Sequence, residues 1–122
     1  MAIPGKCKTI LIVEDDDDIR NVMIDLLESE GYTTKAATNG KEALDALGSM
    51  AKPCLVLLDM MMPIMNGRQF LDTIMSDTLL APIPVLIVSA VADKTNTEGS
   101  IGFLKKPIDI DVVLNVVSQY CK

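Results

Sequence analysis

The chain has 122 residues, with 11 Lys+Arg against 17 Asp+Glu, a formal net charge of −6 and no histidine. That length can bury one sizeable core without disulfides or metal, and an apolar content of 49% argues against disorder. The missing His excludes Ser-His-Asp and Cys-His nucleophile systems and His-ligated metals built from this chain alone, while an acidic balance with 3% aromatic residues argues against direct nucleic-acid binding.

Five short runs rich in β-branched residues alternate with helical patterns. The first run, Thr9 to Val13, is almost wholly apolar, and behind it Ile19, Val22, Met23, Leu26 and Leu27 recur at helical spacing. Asp16 or Asp17 can cap that helix and Gly31 can end it. The second run, Thr33 to Ala37, is polar enough for a sheet edge, and a helix starting near Asn39-Gly40 should bury Ala43, Leu44 and Leu47. Leu55 to Leu58 is a run apolar throughout, followed after Gly67 by a helix with Phe70, Leu71, Ile74 and Met75 on one face. Val85 to Val88 is the fourth run, and Gly102 to Lys105 the fifth, again with polar positions that suit an edge. The last helix is the clearest, because Asp109 can cap Val112, Val113, Val116, Val117 and Tyr120 at three- and four-residue spacing. Strands alternating with helices imply right-handed crossovers and a parallel sheet between two helical layers.

Cys7, Cys54 and Cys121 form no CxxC pair and lie far apart in sequence, so they are expected to be reduced thiols in a cytoplasmic protein. The most apolar stretch, Leu79 to Ala92, is interrupted by Pro82, Pro84 and Ser89 and is too short to span a bilayer, and the N-terminus lacks a signal-peptide pattern.

In parallel α/β sheets ligands bind beyond the carboxyl ends of the strands. The residues there are Glu14, Asp15 and Asp16, then Asp59, then Ser89 and Ala90, then Lys106 and Pro107. Glu14, Asp15 and Asp59 would crowd negative charge into one pocket, which is unfavourable unless a cation sits among them. All-oxygen ligands favour a hard ion such as Mg²⁺, which leaves coordination positions for phosphate oxygens. Lys106 could neutralise a phosphate oxygen or pair with a carboxylate, and Ser89 could donate to another oxygen. A carboxylate can itself attack phosphorus, which makes Asp59 the candidate nucleophile. Asp16 to Asp18 read as a solvated acidic helix start, favourable at the positive end of the dipole. Met60 to Met62 read as packing residues, and Lys105 as a solvent charge.

The segments Ile10-Leu11-Ile12-Val13-Glu14-Asp15-Asp16-Asp17-Asp18-Ile19-Arg20, Leu57-Leu58-Asp59-Met60-Met61-Met62-Pro63 with Asn66-Gly67, Val88-Ser89-Ala90 and Phe103-Leu104-Lys105-Lys106-Pro107 together resemble the receiver domains of two-component response regulators. The resemblance runs from about Thr9 to Tyr120. It implies a flavodoxin-like (βα)5 doubly wound sheet in strand order 2-1-3-4-5, in one domain spanning residues 1–122 with a core of 9–120 and an extension at 1–8. It further implies that Asp59 accepts a phosphoryl group from a sensor histidine kinase or phosphotransfer protein. Glu14, Asp15, Asp59 and the backbone carbonyl of Met61 would hold Mg²⁺ or Mn²⁺. Ser89 and Lys106 would contact the phosphoryl group, and Phe103 would swing as the coupled aromatic. The chain would switch protein contacts rather than act as a metabolic enzyme. With no output domain after Lys122, it would act by protein contact, relay phosphate onward, or be a piece of a longer chain.

The polar segment from Asp93 to Ser100 departs from the family, where a fuller helix precedes the fifth strand, so a short or irregular fourth helix is expected there. Family members with fast phosphoryl turnover tend to carry polar side chains two positions after the phosphorylated Asp and two after the Ser or Thr. Here Met61 and Val91 stand at those positions, so autodephosphorylation should be slow. Two rival readings remain open. One is a Mg²⁺-dependent phosphohydrolase of the haloacid-dehalogenase type, disfavoured because Met61 stands where a second Asp is needed; the other is a receiver-like domain that is never phosphorylated.

Overall fold

Residues alternate between the two faces of a strand, and in the central strands of this chain both faces are apolar. The computed structural model describes residues 8–90 and 97–121. Its strands are β1 (Thr9–Val13), β2 (Thr33–Ala37), β3 (Leu55–Leu58), β4 (Val85–Ser89) and β5 (Gly102–Lys105). They pair in parallel in the order β2-β1-β3-β4-β5, so the two polar runs lie at the edges as expected.

On one face Leu11, Val13, Val56, Leu58, Val85 and Ile87 pack against α2 (Gly40–Ser49) and α3 (Gly67–Met75), whose contributions include Ala43, Leu47, Phe70, Leu71 and Ile74. On the other, Ile10, Ile12, Leu55, Leu57, Leu86 and Val88 meet Met23 and Leu27 of α1 (Asp17–Ser29) and Val113 and Val117 of α4 (Ile110–Tyr120). This is the doubly wound, flavodoxin-like arrangement. Phe70 and Ile12 are wholly buried, and truncating such side chains typically costs about 2–5 kcal/mol.

Each helix is started by a side-chain cap. Asp16, Asn39, Asn66 and Asp109 accept N–H groups of the first turns of α1, α2, α3 and α4, and Gln69 returns a bond to the Asn66 N–H to complete a capping box. Such caps contribute about 1 kcal/mol each. Asp16 is thereby committed to the Asp18 and Ile19 N–H groups, in keeping with the acidic run being a helix start.

Several expectations are corrected. Met75 does not lie on the buried face of α3; it is exposed and packs beside Gly99, whose positive φ of 89° and lack of a side chain make room for it. Val112 and Tyr120 are also exposed, because α4 covers the sheet with a narrow stripe centred on Val113 and Val117. The cysteines are not all free thiols. Cys54, just before β3, and Cys121, capping α4, form a disulfide with a Cα–Cα distance of 5.4 Å across a sequence separation of 67. Distance along the chain conceals this proximity because β3 begins, and α4 ends, at the same end of the sheet. Cys7 lies outside the described residues, as does half of the span in which the short fourth helix was expected; residues 97–100 form a turn. Among the described residues no helix is long and apolar enough to cross a membrane.

The loop from β3 to α3 folds back on itself at Gly67. The Gly67 N–H donates to the Met60 carbonyl at 3.2 Å, and a Cβ at this position would lie 2.6 Å from the Asp59 carbonyl oxygen and 2.7 Å from the Met60 Cα. Both neighbours are backbone and cannot turn aside. Gly67→Ala is expected to lower the unfolding free energy by about 1–3 kcal/mol, read as an earlier urea midpoint with unchanged slope.

Candidate functional site

The register of the sheet builds the site. Val13 pairs with Leu58, so the next residues, Glu14 and Asp59, leave adjacent strands side by side. The Asp59 N–H donates to the Val13 carbonyl at 2.9 Å and the Glu14 N–H to the Ala37 carbonyl at 3.0 Å, which fixes both main chains. Ser89 pairs with Lys105, and the Lys106 N–H donates to the Ser89 carbonyl at 3.2 Å, so the lysine emerges next to the end of β4.

Glu14 and Asp59 are buried, at 4% and 5% exposure, whereas Asp15 is exposed. One carboxylate oxygen from each of the three lies within 4.8 Å of the others. Lys106 reaches across from β5, its Nζ 2.5 Å from Glu14 Oε1 and 3.8 Å from Asp59 Oδ2. The Met61 N–H donates to Asp59 Oδ1 at 3.3 Å, and the Met61 side chain is 63% exposed at the mouth. Ser89 is fully buried at the end of β4. Phe103 is half-buried against the α2/α3 side of the core.

Burial pushes the Glu14 carboxyl up to about 7; the Lys106 hydrogen bond and the Asp16 N–H pull the other way, and the Asp59 charge adds to the rise. Among the described residues three carboxylates face one ammonium, which leaves the pocket short of positive charge. An all-oxygen donor set of this kind fits a hard divalent cation, which would accept the carboxylate charge that Lys106 alone does not balance.

One supporting residue carries no role in the sequence reading. Arg20, on the first turns of α1, donates from Nη1 to the Glu14 carbonyl at 2.9 Å and from Nη2 to the Asp17 carboxylate. It ties the helix to the acidic loop. The only signal for it in the sequence is a cation placed to turn back over the helix N-terminus.

Comparison with known proteins agrees with this geometry. Residues 10–118 match the model of the response regulator receiver domain. The polar-differentiation response regulator DivK of Brucella anthropi is 33% identical over 118 residues, covering 93% of this chain and 95% of that protein. The signal receiver domain of a signal transduction histidine kinase from Syntrophus aciditrophicus superposes with a TM-score of 0.84 at 29% identity, covering 94% of this chain and 90% of that one. A sensor-kinase receiver domain from Pseudomonas aeruginosa PAO1, described with a magnesium ion coordinated in its active-site cleft, shares the fold with a TM-score of 0.83 at 21% identity, covering 94% of this chain and 98% of that one. The chain belongs to the response-regulator receiver-domain family. It is a receiver domain of two-component signalling, similar to DivK.

In the metal-free protein a Glu14 pKa raised from 4.5 to about 7 means that the folded state holds a proton that the unfolded state has released between those values. Stability should therefore fall, by on the order of 1–3 kcal/mol, as pH rises from about 4.5 through 7. Urea titrations in EDTA across this range should show that slope, and Glu14→Gln should flatten it.

Proposed function

We propose that this domain is a phosphoacceptor switch, modified on Asp59 in a Mg²⁺-dependent reaction with a partner histidine kinase or phosphotransfer protein. The observation that carries this reading is the placement of a buried Asp59 carboxylate beside Glu14 and Asp15 on one side and the Lys106 ammonium on the other. An Asp59 carboxylate oxygen attacks the phosphorus of a partner's phosphohistidine. The new O–P bond forms as the N–P bond breaks, and the imidazole leaves with the electron pair of that bond. Lys106 neutralises charge on the arriving phosphoryl oxygens, which requires it to give up part of its contact with Glu14.

Glu14, Asp15, Asp59 and the Met61 carbonyl would hold Mg²⁺, or Mn²⁺ in its place. The bound ion supplies charge neutralisation and orientation for the transferred group. Ser89, at the end of β4, is the group proposed to bond the phosphoryl oxygens in the modified state, with Phe103 on the adjoining strand responding to its movement. These positions support a switch read by protein contact. Beside the site an apolar groove of about 340 Å³ runs between α1 and the start of α4, lined by Ile19, Val22, Pro107 and Ile108. Lys106 lines both the groove and the site, so a phosphodonor helix resting there would bring its histidine to Asp59.

Incubation with acetyl phosphate should add one phosphoryl group by intact mass in the presence of Mg²⁺, and none in EDTA or in Asp59→Asn. Absence of labelling with the fold intact, both from acetyl phosphate and from a phosphorylated phosphotransfer protein, would overturn the reading.

Lifetime is a separate matter. Hydrolysis needs a water held in line with the aspartyl phosphate, and the Met61 side chain at the mouth offers it no strong hydrogen-bonding group. Val91, the other position invoked, lies outside the described residues. The phosphorylated protein, freed of donor, should decay with a half-life of minutes or longer by phosphate release; decay within seconds would contradict this.

A further inference from the structure

Cys54 and Cys121 have no part in the acidic site. They lie at the opposite end of the sheet, where β3 begins and α4 ends. The fold fixes both main chains independently of the sulfur bond: the Cys54 N–H donates to the Thr9 carbonyl at 2.9 Å, and the Cys121 N–H to the Val117 carbonyl at 2.8 Å. Val113 and Val117, both wholly buried, anchor α4 against the sheet by packing of their own. Hydrogen bonds and packing that involve no sulfur thus hold the start of β3 and the end of α4, so the covalent bond is not their only tie.

The two sulfurs differ in access. Cys121 is 3% exposed within the α1/α4 side of the core, whereas Cys54 is only half-buried at its margin. We propose that Cys54 and Cys121 form a redox-reversible modification site, a dithiol that low-molecular-weight disulfides of the glutathione type convert into a bond latching α4 to β3. The Cys54 thiol loses its proton to solvent, and its thiolate attacks one sulfur of the small disulfide. That S–S bond breaks, and one thiol leaves after taking up a proton. The Cys121 thiolate, its proton also given to solvent, then attacks Cys54 Sγ and expels the second thiol. The sum is two protein thiols and one small disulfide converted to one protein disulfide and two small thiols. Reduction runs back through Cys54, the sulfur that solvent can reach.

Latched, the C-terminal end of α4 is fastened covalently to the residue that leads into β3, the strand directly followed by Asp59. Released, that end is held by its last hydrogen bonds and by Val117. The site thus gives the helix a control separate from phosphorylation at the other end of the sheet.

The test uses the full chain carrying Cys7→Ser, equilibrated in graded reduced-to-oxidised glutathione, quenched with iodoacetamide and weighed intact. The species should pass from two alkylated cysteines to none within the graded range, and the oxidised form should recover both on return to reducing buffer. On reduction, hydrogen exchange of the Cys121 amide and its neighbours in the last turn of α4 should quicken roughly tenfold or more, while β3 stays protected. The oxidised form should melt roughly 10 °C above the dithiol form. With Cys121→Ser, Cys54 should accumulate a glutathione adduct, whereas with Cys54→Ser the buried Cys121 should stay largely unmodified. Two free thiols at every ratio, a bond that no reducing ratio opens in the folded protein, or equal exchange of α4 in both states would overturn the proposal.

Discussion

Two neighbouring parallel strands each deliver a carboxylate to the same end of the sheet, and both carboxylates are taken almost completely out of water. Burying a charge costs several kcal/mol unless something of opposite sign answers it, and two like charges side by side raise that cost. Among the described residues the answer is Lys106, which comes from the far edge of the sheet and lies against Glu14, at longer range from Asp59. Much else in the domain follows from keeping these three groups in place. Burial raises the Glu14 pKa, the Asp59 charge adds to the rise, and a pocket in that condition favours a divalent cation or a group that can share Lys106.

Placement of this kind demands a rigid frame, and the frame is built from both layers. The strand alternation gives each face its own apolar filling, so neither helical layer can shift without opening a void. The loops that leave the frame are then tied down individually. Arg20 binds the carbonyl of Glu14, Asp16 starts α1, and Gly67 allows the β3–α3 loop to close on the backbone of Asp59 itself. Chemistry is therefore confined to side chains whose main chains are already fixed, which is how a short domain can bury charge without losing its single conformation.

The opposite end of the sheet is organised differently. There the contacts are apolar, and one covalent link joins the start of β3 to the end of α4. The strand carrying Asp59 is thus held by hydrogen bonds and packing along its length, with α4 attached to it at the far end. α4 also begins just after Lys106, so one helix touches both the charged and the covalently linked end.

The fold was legible because its signals are local. Period-two apolar runs and helical spacing depend only on nearest neighbours, and caps such as Asp109 and Asn39 stand beside the turns they start. The grouping of Glu14, Asp15, Asp59 and Lys106 was legible for a similar reason, since a parallel sheet sends every strand end to one side and these residues stand just past strand ends. What sequence could not supply are facts about distance through space. That Lys106 lies nearer Glu14 than Asp59, that Arg20 turns back to the Glu14 carbonyl, that Met75 is exposed beside Gly99, and that Cys54 meets Cys121 all depend on which elements the crossovers bring together. Residue order determined the strands, the helices and the chemical type of the pocket, because each rests on short-range periodicity or on strand-end position. Only the tertiary structure decided the pairings, because a separation of 67 residues along the chain carries no information about a Cα distance of 5.4 Å until the sheet is wound.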